Sequence, residues 1–188
     1  MHNGSSDTFP NLVVGGTKTP DWVNVRKTNN FQTQAPVRIC NPLLIHRRVS
    51  HVFALQVTDV KSADFRCYDS ATGATAQTIT VAAGSQLGIA CDQTIYHPGV
   101  VNVYMAKAPS GTDVANWDGS GTVWFKVYQI SAVTDGGKSI SWPAQNLSQV
   151  TFTVPRNLPS GQYLVRMEAI ALHVAQTYGG AQFYVSGY

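Results

Sequence analysis

Apolar and polar residues alternate over short runs through most of this chain, the period of a strand with one buried face. The runs rich in β-branched and aromatic residues predict strands over 22–27, 77–82, 100–107, 123–130, 149–154, 162–172 and 181–186. Turn chemistry separates them: Ala83-Gly84, His97-Pro98-Gly99, Asp135-Gly136-Gly137, Pro155, Pro159-Ser160-Gly161 and Gly179-Gly180. A Gly-, Asp- and Ser-rich loop containing Trp117 is expected over 108–121. No strand–helix alternation is visible, so the pattern predicts two stacked antiparallel sheets. Whether Leu164 and Arg166 or Val165 and Met167 face the core is left open by the pattern, as is the inward set around Phe125 and Val127.

Composition points the same way. Glu occurs once, at Glu168, and charged residues make up 12% of 188 positions, a mixture poor in helix formers. The expected fold class is all-β: an immunoglobulin- or fibronectin-like antiparallel β-sandwich with long loops, one domain over 1–188. The net charge of +3 is local. Arg38, Arg47 and Arg48 share a segment without Asp or Glu, and elsewhere basic and acidic residues balance. No basic stripe for nucleic acid is present, and a near-neutral surface suits an uncharged polymer.

No apolar run approaches the roughly 20 residues that span a bilayer, and Met1 to Ser6 lacks the apolar core of a secretory leader. Two readings follow, a cytosolic protein or the mature part of a secreted one. The sequons Asn3-Gly4-Ser5 and Asn146-Leu147-Ser148 favour the second. Cys40, Cys67 and Cys91 are odd in number and match no zinc spacing. The segment 38–57 is denser in apolar and basic residues than its flanks. It reads as a retained intron or as a loop insertion, which surface loops tolerate.

Outside that segment three histidines remain: His2, His97 and His173. His97 lies in a Pro-Gly turn before a strand. His173 ends another, and the strand after Gly179-Gly180 places Gln182 and Tyr184 on one face. An imidazole, an amide and a phenol on neighbouring strands are more polar than a core requires. The bland alternatives are a buried Tyr184 ring with a satisfied hydroxyl and a cross-strand partner for Gln182.

The segments Ile95-Tyr96-His97-Pro98-Gly99, Trp124-Phe125-Lys126-Val127-Tyr128, Tyr163 through Glu168, and Gly180-Ala181-Gln182-Phe183-Tyr184 resemble fungal lytic polysaccharide monooxygenases of auxiliary-activity family nine. Thr8-Phe9-Pro10, Asp21-Trp22-Val23-Asn24 and Phe65-Arg66-Cys67-Tyr68 extend the resemblance. It implies a single copper ion held by a histidine brace, with His97 as the second brace histidine and Tyr184 as the axial phenol. Nitrogen donors of this kind suit copper better than hard cations. By the same resemblance His173 and Gln182 hydrogen-bond the oxygen co-substrate, O2 or H2O2. An external electron donor, either a small reductant or a redox protein, would serve the metal. The implied substrate is cellulose or a related β-1,4-glucan surface, attacked by a secreted, extracellular monomer without nucleic-acid or membrane partners.

The chain departs from that family at both ends. Ser6-Asp7 stands where relatives begin with histidine, so His2 is the candidate first brace residue, provided that Met1 is removed. Relatives continue beyond the Tyr184 strand with a cysteine, of which Cys67 resembles the partner. A truncated C-terminus would forfeit that bridge, worth roughly 2–4 kcal/mol. The alternative function is a non-catalytic polysaccharide-binding sandwich, or an inactive relative, in which Trp117 and Tyr178 would stack on sugars. A conventional glycosidase needs two carboxylates, and Glu168 beside Arg166 reads as structural.

Overall fold

Strands form where short apolar runs end in turn residues, and the computed structural model describes residues 8–26, 61, 64–67 and 76–188. Among these, ten strands are present: β1 (Asn11–Val14), β2 (Thr17–Lys18), β3 (Gln86–Ala90), β4 (Gly99–Lys107), β5 (Trp124–Ile130), β6 (Val133–Thr134), β7 (Ile140–Ser141), β8 (Gln149–Thr153), β9 (Tyr163–Ala171) and β10 (Gln182–Gly187). One α-helical turn, α1 (Asp64–Cys67), and one 3-10 turn (Val114–Asn116) accompany them. One sheet runs β2-β1-β3-β8, the other β10-β9-β4-β5, and β6-β7 is a separate hairpin. Every pairing is antiparallel. The expected all-β sandwich is the observed architecture. His2, Cys40 and the 38–57 segment lie outside the described residues.

Inward parity is decided by β9. Val165, Met167 and Ala169 join Val101, Val103 and Met105 of β4 and Leu87, Ile89, Val150 and Phe152 of the facing sheet in one core. Arg166 and Glu168 turn to the other face, where α1 covers them. Phe65 packs edge-on against Phe183 at 5.0 Å, the Arg166 guanidinium lies 4.6 Å over the Phe65 ring, and Arg166 Nε donates to the Phe65 carbonyl at 2.8 Å. Arg166 and Glu168 form a buried ion pair whose carboxylate also accepts from Asn102 Nδ2 at 2.9 Å. Glu168 is therefore a structural acid.

Several expected elements differ. The 22–27 and 77–82 runs form no strand over their described residues; Asp21 to Val25 is a chain of turns and bends. Instead β3, absent from the expected set, is the inner strand between β1 and β8. Its residues Leu87 to Ala90 are all buried, so the alternation that marks a half-buried strand is missing. In β5 a bulge opposite Val103 and Tyr104 shifts the phase. Val127 and Ile130 pack partly buried against the core, whereas Phe125 and Tyr128, paired with Met105 and Val103, are exposed. Trp117 is no exposed sugar platform. It is buried with Ala106, Ala108, Val114 and Leu164 in a second core cluster, because the 108–121 loop folds back over the sheet.

Candidate functional site

The site lies at one end of the β10-β9-β4-β5 sheet, where β4 begins and β9 finishes. Residues before His97 are pinned by the loop that precedes β8. Ile95 N donates to the Leu147 carbonyl at 2.9 Å, Asn146 N to the Ile95 carbonyl at 2.8 Å, and Gln145 Nε2 to the Tyr96 carbonyl at 3.0 Å. After His97, Leu172 N donates to the Pro98 carbonyl at 2.9 Å, tying this turn to the end of β9. Gly99 then permits the closest approach. A Cβ there would fall 1.9 Å from the Ile170 carbonyl oxygen, so only glycine lets β4 enter the ladder here.

That approach brings the two imidazoles together. The His97 and His173 rings stack at 4.3 Å between centroids with 19° between planes. The Tyr184 ring lies 5.4 Å from His97, tilted by 18°. Tyr184 Oη donates to Gln182 Oε1 at 3.1 Å within the buried layer. Gln182 and Tyr184 are 8% and 5% exposed, whereas both histidines are half-buried. The β10 register sets Gln182 beside Ala171 and Tyr184 beside Ala169; small neighbours leave room for the larger polar side chains.

The loop from β9 to β10 is closed by its own backbone. Ala175 N donates to the Leu172 carbonyl at 3.1 Å, Gln176 Nε2 to the His173 carbonyl at 3.1 Å, and Gly180 N to the Thr177 carbonyl at 3.0 Å. A Cβ on Gly180 would meet the Val174 carbonyl oxygen at 2.2 Å. His173 is thereby held against the rim, its Nδ1 buried. At the outer edge Tyr178 is fully exposed, and Tyr96, half exposed, stands edge-on to His97 at 5.2 Å. Sequence reasoning passed over Tyr96; an aromatic directly before a rim histidine was the signal available.

Four of the five expected site residues, His97, His173, Gln182 and Tyr184, thus share one corner, and His2 is outside the described residues. The donor set is imidazole, amide and phenol. Among the described residues no group of three His, Cys, Asp or Glu side chains is assembled, so this corner offers none of the carboxylate cage that Mg2+ or Ca2+ requires. Softer nitrogen donors suit a transition metal. Among the described residues, no helix is long and apolar enough to cross a membrane.

A β-sandwich presenting imidazoles and a phenol at its rim offers a nitrogen-rich corner suited to a transition metal. The sequence profile of Auxiliary Activity family 9 (formerly GH61) matches residues 7–188. The chain is 42% identical over 179 residues to AA9 family lytic polysaccharide monooxygenase H of Malbranchea cinnamomea, covering 95% of this chain and 69% of that protein. It is 41% identical over 182 residues to monooxygenase D of Phanerodontia chrysosporium, covering 95% and 68%. The extended catalytic domain of H. jecorina LPMO9A superposes with a TM-score of 0.72 at 21% identity, over 97% of this chain and 71% of that one; at that identity the likeness speaks to the sandwich alone. The chain belongs to Auxiliary Activity family 9, the AA9 lytic polysaccharide monooxygenases, oxidative enzymes that need a metal and an external reductant.

Proposed function

We propose that this chain, acting as a single catalytic domain over 1–188, oxidatively cleaves cellulose or related β-1,4-glucan chains with one copper ion at the His97 corner. The observation that carries this reading is the convergence of His97, His173 and Tyr184, with Tyr184 bonded to Gln182. His97 and Tyr184 supply an imidazole and a phenol to the metal. His2 supplies a second imidazole and, once Met1 is removed, a free α-amine; with Met1 attached that nitrogen is an amide and a poor ligand. Copper contributes one-electron chemistry toward O2 or H2O2 once a small reductant or redox protein has reduced it.

The remaining roles belong to the chain. His173, stacked on His97, and Gln182 present hydrogen-bonding groups to the oxygen co-substrate, and groups of this kind orient and tune a metal site. Tyr184 Oη holds the Gln182 amide in one orientation. Exposed Tyr96 and Tyr178 offer ring faces to a neutral sugar chain. The protein works outside the cell as a monomer.

The test is a chain beginning at His2, loaded with Cu(II) and incubated with swollen cellulose and a reductant. Oxidised oligosaccharides are expected, together with a copper electron-paramagnetic signal that His97→Ala alters and whose product release it abolishes. Cellulose binding by a copper-loaded chain that releases no oxidised sugar would establish the non-catalytic alternative instead.

A further inference from the structure

Of the two sequons, Asn146-Leu147-Ser148 lies among the described residues and takes no part in the site. In the fold this tripeptide lies at the surface in the turn before β8. Asn146 and Ser148 are exposed while Leu147 between them is half-buried against the core. Asn146 sits in a left-handed turn at φ 68°, which turns its side chain off the line of the strand that follows. The backbone around it is fully engaged: Asn146 N donates to the Ile95 carbonyl, Leu147 N to the Ala144 carbonyl at 3.4 Å, and Cys91 N to the Ser148 carbonyl at 2.9 Å. A substituent on Asn146 Nδ2 therefore points to solvent without breaking a packing contact.

We propose that Asn146 carries an N-linked glycan whose root flanks the Tyr96–His97 rim. The proposal rests on the extracellular reading above, since attachment takes place in the secretory pathway. In the transfer a bond forms between Asn146 Nδ2 and the anomeric carbon of an oligosaccharide donated from a lipid diphosphate. The bond from that carbon to the diphosphate breaks, the lipid diphosphate leaves, and the amide loses one proton to the medium. Asn146 lies one hydrogen bond from Ile95, and neighbouring Gln145 holds the Tyr96 carbonyl. The glycan consequently borders the face that holds His97 and shields one side of it.

The test fuses the full chain to a secretory leader and expresses it in a yeast host. Digestion at Lys138 and Arg156 releases a peptide over 139–156 in which Asn146 is the only sequon. Peptide N-glycosidase should convert Asn146 to Asp in that peptide. The accompanying mobility shift of the whole protein should diminish in Asn146→Gln and Ser148→Ala and persist in Ser148→Thr. Translation of the leader fusion into microsomes gives the same readout without requiring a folded, secreted product. An unmodified 139–156 peptide from either source would overturn the site. If the leader fusion is modified at Asn146 but the natural protein is found inside the cell, the site stands and the extracellular reading fails.

Discussion

Two hydroxyls at the ends of β10 illustrate how single groups shape this protein. Tyr188 Oη donates to the Phe9 carbonyl at 3.0 Å deep in the core. Burial pushes its phenol well above the ordinary value, with Cys91 and Cys67 adding to the rise and a hydrogen bond from Ser186 opposing it. The folded value thus exceeds the unfolded value of about 10. Stability from this neutral phenol is fully present below about pH 10 and is lost as pH rises through the folded value. Tyr188→Phe should cost roughly 1 kcal/mol near neutrality, and urea denaturation at rising pH should show the gap from wild type closing in alkali. A constant gap would mean that the phenol is not shifted. Tyr184→Phe removes the donor to buried Gln182 Oε1 and should cost about 1–3 kcal/mol. The same denaturation assay reads it.

Between elements, the outer face of the β10-β9-β4-β5 sheet depends on a buried charge pair. Arg166 binds Glu168 and the Phe65 carbonyl, and Glu168 also accepts from Asn102 and, at 3.3 Å, from Tyr104 Oη. Arg166→Met strands the carboxylate and should destabilise by about 3–5 kcal/mol. Adding Glu168→Gln keeps an acceptor for Asn102 without the charge and should recover at least half of that loss; no recovery would show that packing on Phe65, not charge, carries the effect. β4, β8, β9 and β10 were legible from turn residues and from their β-branched and aromatic content, although β9 and β10 are buried on both faces. β3 was not, because Gly88 and Ala90 are poor strand formers and leave little local signal, and β1 was not, because it is short. The β5 phase was hidden by a bulge, and Trp117 by a loop whose fold-back no local pattern encodes. At the site, turns and strand parity marked His97, His173, Gln182 and Tyr184 as unusually polar, and their roles came from the family resemblance. Their stacking was not legible, since it depends on Gly99 admitting β4 against Ile170.

At the scale of the whole molecule, the proposed metal corner draws on distant stretches of sequence: the turn before β4, the end of β9, β10 and the first residues of the chain. A ligand bound by all of these stabilises only the folded state, because an unfolded chain scatters them. At a concentration about 100 times its dissociation constant such a ligand adds roughly 2.7 kcal/mol, which for a domain of this size raises the melting temperature by about 5–10 °C. Copper should therefore raise the melting temperature of a chain beginning at His2 by about that amount, and a chelator should reverse it. The same chain with Met1 retained has an amide where the α-amine would be, so its rise should be a small fraction of this. Differential scanning calorimetry of the two forms side by side makes the comparison independent of turnover. Equal shifts would remove the α-amine of His2 from the ligand set, while a shift in neither would remove the metal from this corner.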